Sequence, residues 1–177
     1  MTNSHAIEVK KLFKVYKGNI IAINNIDLNI PHGSIFGLLG PNGAGKSTFI
    51  NILAGLASKS SGSVKICDID IDSNPKTARG AIGVVPQEVN IDPYFTPIEI
   101  LDNQAGYYGI SSKDIQNKTI LRELNLSSKT NAYSRSLSGG MKRRLMIAKA
   151  IVHRPPVLVL DEPTAGVDVE LRQKLWT

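Results

Sequence analysis

Gly40-Pro41-Asn42-Gly43-Ala44-Gly45-Lys46-Ser47-Thr48 is the stretch whose reading decides the fold of this chain. It matches G-x-x-x-x-G-K-[S/T], and it sits between an apolar run, Ser34–Leu39, and a helical pattern running from Lys46 to about Leu56. The glycines let backbone N–H groups curl inward around an anion without side-chain obstruction. The N-terminus of the following helix adds its partial positive charge. Lys46 can bridge the β- and γ-phosphates of a nucleotide, and the Ser47 hydroxyl can hold Mg²⁺. The loop therefore predicts a phosphate site over Gly40–Thr48. By itself it does not separate kinases, GTPases, helicases and transport motors. A GTPase would show N-K-x-D, but Asn117-Lys118 is followed by Thr119-Ile120, which disfavours that branch.

Working outward, residues 6–16 and 20–30 read as two strands joined by a turn at Lys17-Gly18-Asn19. Ser34–Leu39 reads as a strand buried on both faces. Gly62–Ile71 reads as a further strand and Ile82–Val85 as a short buried one. Thr96-Pro97 pairs a cap residue with proline at the first helical position, opening a helix-rich stretch to about Val152. Breaks are expected near Gly109 and over Leu126–Ser136. Pro155-Pro156 ends the helices, Val157–Leu160 is a buried strand, and a last helix is expected to begin near Asp168. Strand, loop and helix alternate at both ends with helices grouped between, which implies an α/β core with a helical insertion.

Composition agrees with an ordinary globular domain: 177 residues, 42% apolar and 20% charged. No run approaches the roughly 20 apolar residues needed to cross a bilayer, and the start Met1-Thr2-Asn3-Ser4-His5 lacks a secretory pattern, so a cytoplasmic location is expected. Cys67 has no second thiol and reads as a small strand residue. The net charge of +6 is scattered, with mild clusters over Lys10–Lys17 and Lys142–Arg144. A basic surface suits any polyanion, so charge alone does not argue for nucleic acid.

Two further motifs carry chemistry. Val157–Leu160 ends in Asp161-Glu162. An Asp at that strand end can hold Mg²⁺ opposite Ser47, and Glu162 can polarise an attacking water. An acidic surface turn would read the same way in isolation. Leu137-Ser138-Gly139-Gly140-Met141-Lys142-Arg143-Arg144-Leu145 follows, with Ser138 as a helix cap and two glycines leaving amides open to an anion.

This last stretch resembles the L-S-G-G-Q signature of ATP-binding-cassette (ABC) proteins, with Met141 in place of glutamine. Met there is familiar in cassettes driving ABC-2-type exporters. The resemblance spans nearly the whole chain, because weaker matches fall in the family's order. Tyr16 corresponds to the aromatic that stacks on adenine, a contact worth about 1–3 kcal/mol in nucleic-acid proteins. Gln87 matches the glutamine that touches the metal and senses the membrane partner, and Ala165-Gly166-Val167-Asp168 matches the D-loop.

The resemblance implies a P-loop NTPase core with an N-terminal antiparallel β subdomain. Residues 1–95 would form the ATP-binding core and β subdomain, 96–152 the helical subdomain, and 153–177 the return to the core. Catalytic roles fall to Glu162 and Gln87. ATP binding falls to Tyr16, to Gly40, Pro41, Asn42, Gly43, Ala44, Gly45, Lys46, Ser47 and Thr48, and to Ser138, Gly139 and Gly140. Mg²⁺ would be held by Ser47, Gln87 and Asp161.

The implied partners are a second cassette, as a homodimer around two Mg·ATP, and an ABC-2-type membrane permease that the region of Ile91, Tyr94 and Phe95 would contact. The implied location is peripheral, on the cytoplasmic face of the inner membrane, with no nucleic acid expected. A hydrolysis-deficient remnant and a soluble ABC ATPase are the alternatives.

The family's switch histidine lies beyond the Asp-Glu pair, and His5, His32 and His153 are not in position to replace it. In the family's fold a further strand separates the phosphate-loop strand from the Asp-Glu strand, and the sequence ends at Thr177 before it. Its loss would leave backbone groups at the sheet centre unpaired. The 177 residues alone are therefore expected to be poorly stable and to hydrolyse ATP very slowly. A thermal melt and an ATPase assay check this, and a cooperative melt with brisk turnover would refute it.

Overall fold

The computed structural model describes residues 5–111 and 116–161. The chain divides into two compact units: residues 1–84 with 155–159, and residues 85–154 with 160–177.

In the first unit, β1 (His5–Tyr16) and β2 (Ile20–Pro31) form the expected antiparallel hairpin, with Gly18 and Asn19 of its turn at positive φ. β3 (Ser61–Ile66) pairs antiparallel with the other edge of β1, and the short β4 (Ile69–Asp70) pairs with β3, giving the order β2-β1-β3-β4. β1 slips register at Lys11 against both neighbours, as a bulge requires. Asp27 of β2 fastens that bulge, accepting from the Lys11 backbone N–H at 2.8 Å and from its ammonium at 2.7 Å. Gly62 fits beside it because a Cβ there would lie 2.3 Å from the Lys11 carbonyl oxygen.

Helix α1 (Lys46–Leu53) buries Phe49, Ile50, Ile52 and Leu53. With Val9, Leu12, Ile23, Val64 and Ile66 of the sheet, its Phe49, Ile52 and Leu53 form one core of this unit. A short helix α2 (Pro75–Gly80), which the sequence pattern did not suggest, leads into β5 (Ile82–Val85).

Two readings are corrected here. Gly62–Ile71 is not one strand: Cys67 and Asp68, both at positive φ, turn the chain between β3 and β4, so Cys67 is a turn residue. Its burial, with Asp68 close by, pushes its thiol pKa up, away from reactivity. The expected strand Ser34–Leu39 joins neither sheet, and Ile35, Phe36, Leu38 and Leu39 are exposed, Leu39 at 92%. A strand exists only through a neighbour's hydrogen bonds, and among the described residues no strand flanks this segment.

β5 and β6 (Val157–Leu160) form a two-stranded pair. The Val157 N–H donates to the Ala81 carbonyl and the Asp161 N–H to the Val85 carbonyl, the matched spacing of parallel strands.

In the second unit, α3 (Pro97–Tyr107), α4 (Asn117–Glu123) and α5 (Gly139–Ile151), with two 3₁₀ turns at Ser127–Lys129 and Ser134–Ser136, supply the helical insertion. Leu101, Leu121, Leu126, Leu145 and Ile147 fill its core. α3 opens with a full capping box. The Thr96 N–H and hydroxyl both donate to Glu99 Oε2 at 2.8 Å, and the Glu99 N–H donates back to Thr96 Oγ1. These bonds, the backbone one foremost, hold the Glu99 carboxyl below the usual carboxylate range. A lowered folded pKa stabilises at pH above the ordinary glutamate value and loses that stabilisation as pH falls through the folded one. Glu99→Gln should therefore lower the melting temperature at pH 7, and the gap from the unmodified protein should shrink in acid. Melts across pH 2.5–7 would read this.

Candidate nucleotide site

The first unit carries the phosphate loop. Gly43 and Gly45 take φ of 83° and 88°, the left-handed region, and Gly45 is the residue from which α1 starts. A Cβ on Gly45 would lie 2.3 Å from the Ala22 carbonyl of β2, so only glycine allows loop and strand to approach. The loop closes on itself through the Ala44 N–H donating to the Pro41 carbonyl, and the Phe49 N–H donates to the Gly45 carbonyl as the helix begins. The Lys46 ammonium donates to the carbonyls of Gly40 (2.7 Å) and Pro41 (2.8 Å). The lysine is thus held over its own loop, satisfied by neutral oxygens that a phosphate, a stronger acceptor, would outcompete.

Beside the loop opens a cavity of about 390 Å³, lined by Ile21, Ile23, Leu28, Leu38, Leu39 and Phe49 together with Gly43–Lys46. The Lys46 ammonium and the glycine-rich turn beside it suit a phosphate group, whereas the apolar side chains of the cavity offer such a group no polar partner. Tyr16, at the end of β1, lies outside that lining. It is 42% exposed, with the Lys14 ammonium 4.6 Å above its ring.

The second unit carries the other expected residues. Gln87 follows the end of β5 and Asp161 follows β6. Ser138 caps α5, its hydroxyl accepting from the Met141 N–H at 3.3 Å, and open space surrounds the Cβ position of Gly139. The segment beyond Gln87 is tied to the stretch before the cap: the Ser134 N–H donates to the Phe95 carbonyl and the Arg135 N–H to that of Pro93. Along it, Ile91 packs on the helical core while Tyr94 and Phe95 stay exposed. Arg135 lies over the rings of Tyr94 and Tyr133.

Sequence reasoning missed one residue. Lys142–Arg144 read as a mild basic cluster, yet Arg143 is only 2% exposed, and its guanidinium donates to the carbonyls of Pro86, Gln87 and Asp161. The signal was present in the helical spacing, which puts 143 on the same face as Met146, Ile147 and Ala150. Glu162 and Ala165–Asp168 lie outside the described residues. Gln87 and Asp161 in the second unit carry an amide and a carboxylate, and Ser47 in the first a hydroxyl; each is a hard oxygen donor of the kind Mg²⁺ takes.

The model of a family described as ABC transporter matches residues 23–165. The chain belongs to that family. It is 42% identical over 172 residues to the Nod factor export ATP-binding protein I of Cupriavidus pinatubonensis, covering 96% of this chain and 53% of that protein. It is 40% identical to the protein of the same name from Bradyrhizobium diazoefficiens, again over 96% of this chain and 55% of that one. The chain therefore spans about half the length of these curated relatives. Among solved structures, the ATP-binding subunit of an ABC transporter superposes with a TM-score of 0.86 at 29% identity, over 96% of this chain and 71% of that one. The cbiO1 protein of Clostridium perfringens, part of the ABC transporter complex cbiONQ, gives 0.83 at 28%, over 98% and 72%. The fold is thus that of an ABC ATP-binding subunit. Among the described residues no helix is long and apolar enough to cross a membrane.

In this ABC chain the approach of Gly45 to Ala22 is the tightest constraint on the loop. Gly45→Ala should push the loop off β2 and weaken ATP binding at least about ten-fold, near 1.4 kcal/mol. Calorimetric titration with ATP reads it directly.

Proposed function

We propose that this chain is the ATP-binding and ATP-hydrolysing part of an ABC exporter, working as a pair of cassettes against a separate ABC-2-type membrane subunit on the cytoplasmic face of the inner membrane. The observation that carries this reading is the Gly43–Lys46 cradle, with left-handed glycines, a helix starting at Lys46 and an ammonium held over the loop.

In this reading the loop amides and Lys46 bind the phosphates of ATP and Tyr16 stacks on the base. Ser47, Gln87 and Asp161 hold Mg²⁺, which when bound offsets charge on the phosphate oxygens. Glu162 accepts the proton of the attacking water, and Ser138–Gly140 of a second copy present the α5 N-terminus to the nucleotide from the opposite side. ATP then acts as an intermolecular bridge whose hydrolysis lets the pair separate.

Residues 96–152 are the helical insertion that carries this motion. The exposed rings of Tyr94 and Phe95 are the contact for a helix of the membrane subunit. Export rather than import is supported by Met141 in the signature and by relatives named for Nod factor export.

The test is Lys46→Ala in the protein at its full natural length. ATP affinity should fall at least about ten-fold, ATPase activity should be lost, and sedimentation with ATP should no longer give a nucleotide-dependent dimer. A variant that binds ATP as tightly as the unmodified protein and still dimerises overturns the proposal.

A further inference from the structure

We propose that Arg143 is a positioning residue that locks the backbone of Gln87 and Asp161 to the signature helix and so governs the metal-dependent part of nucleotide binding. The inference rests on the proposed nucleotide site and adds to it a residue two positions past Met141, the last of the five signature letters.

Arg143 lies in α5, a few residues after the Ser138 cap, and is buried. One Nη of its guanidinium donates to the carbonyls of both Pro86 and Gln87, the latter at 3.1 Å. The other Nη donates to the Asp161 carbonyl at 2.9 Å. These oxygens sit where β5 and β6 end, the point at which the Asp161 N–H also reaches the Val85 carbonyl. One planar fork thus fixes how two parallel strand ends leave the sheet, and with them the starting directions of the Gln87 and Asp161 side chains.

Stability alone does not call for this arrangement. A buried guanidinium carries a large desolvation cost, and a helix needing only packing at this position would take an apolar residue like its neighbours Leu145, Met146 and Ile147. What an apolar residue cannot do is hold three carbonyls of two separate segments in one geometry. Lysine cannot do it either, since an ammonium is a compact charge without a rigid fork. Because the fork is mounted on α5, a shift of Ser138–Gly140 against an opposing nucleotide would reach Gln87 and Asp161 through the guanidinium's hydrogen bonds.

The experiment titrates a fluorescent ATP analogue into the full-length protein and its Arg143→Lys and Arg143→Met variants, first in EDTA and then with increasing Mg²⁺. The expected result is metal-free affinity within two-fold of the unmodified protein and a Mg²⁺ half-saturation raised at least ten-fold in Arg143→Met. Arg143→Lys should recover only part of the loss. Mg²⁺ half-saturation within two-fold in both variants overturns the proposal. So does an equal loss with and without metal, which would mark a merely structural arginine.

Should neither variant fold, hydrogen exchange on the unmodified protein decides. Adding Mg²⁺ to the ATP-bound form should slow exchange at residues 87–89 and 143–146 together, and slowing confined to 87–89 overturns the proposal. An unmodified protein that binds no analogue in either condition would instead sink the nucleotide site itself.

Discussion

The approach of Gly45 to the Ala22 carbonyl is the constraint on which the glycine loop of the first unit depends. It presses the loop against β2 and forces a left-handed backbone where α1 begins. The helix starts with its positive end at that turn, and Lys46 folds back over the loop carbonyls. β2 is itself held by β1, whose bulge Asp27 fastens. The hairpin is therefore more than an accessory. It is the wall against which the Gly43–Lys46 turn is formed.

The helical unit solves a different problem, which is to tie several short segments together. It does so with main-chain carbonyls more than with salt bridges. Pro93 and Phe95 accept from the stretch before the signature, and Pro86, Gln87 and Asp161 accept from Arg143. Carbonyls are neutral and not easily screened, so these ties should be less sensitive to ionic strength than exposed ion pairs such as Lys11–Asp27.

Much of this was legible beforehand, for identifiable reasons. The hairpin, α1 and α3 announced themselves through alternation, a glycine turn and a Thr96-Pro97 cap; the apolar run before Asp161 marked the extent of β6 but not its burial, for Leu158 is exposed. The turn at Gly43–Gly45 was legible because its left-handed backbone favours glycine, and the start of α5 because Ser138 is a ready helix cap. Three features were not. Ser34–Leu39 has strand composition, but pairing is a property of neighbours and not of the segment. Cys67-Asp68 makes a turn without glycine or proline, so its signal was absent. Arg143 was hidden by the ordinary rule that a basic run faces solvent, which a buried carbonyl cage overrides.

Among the described residues no strand lies beside Ser34–Leu39, and that has a colloidal consequence. Its exposed Ile35, Phe36 and Leu39 form an apolar strip that another extended chain can cover wherever the strip is left open. Where it stays open, self-recruitment between copies competes with proper closure. The yield of soluble material from a refolding vessel would then depend on dilution more than on temperature.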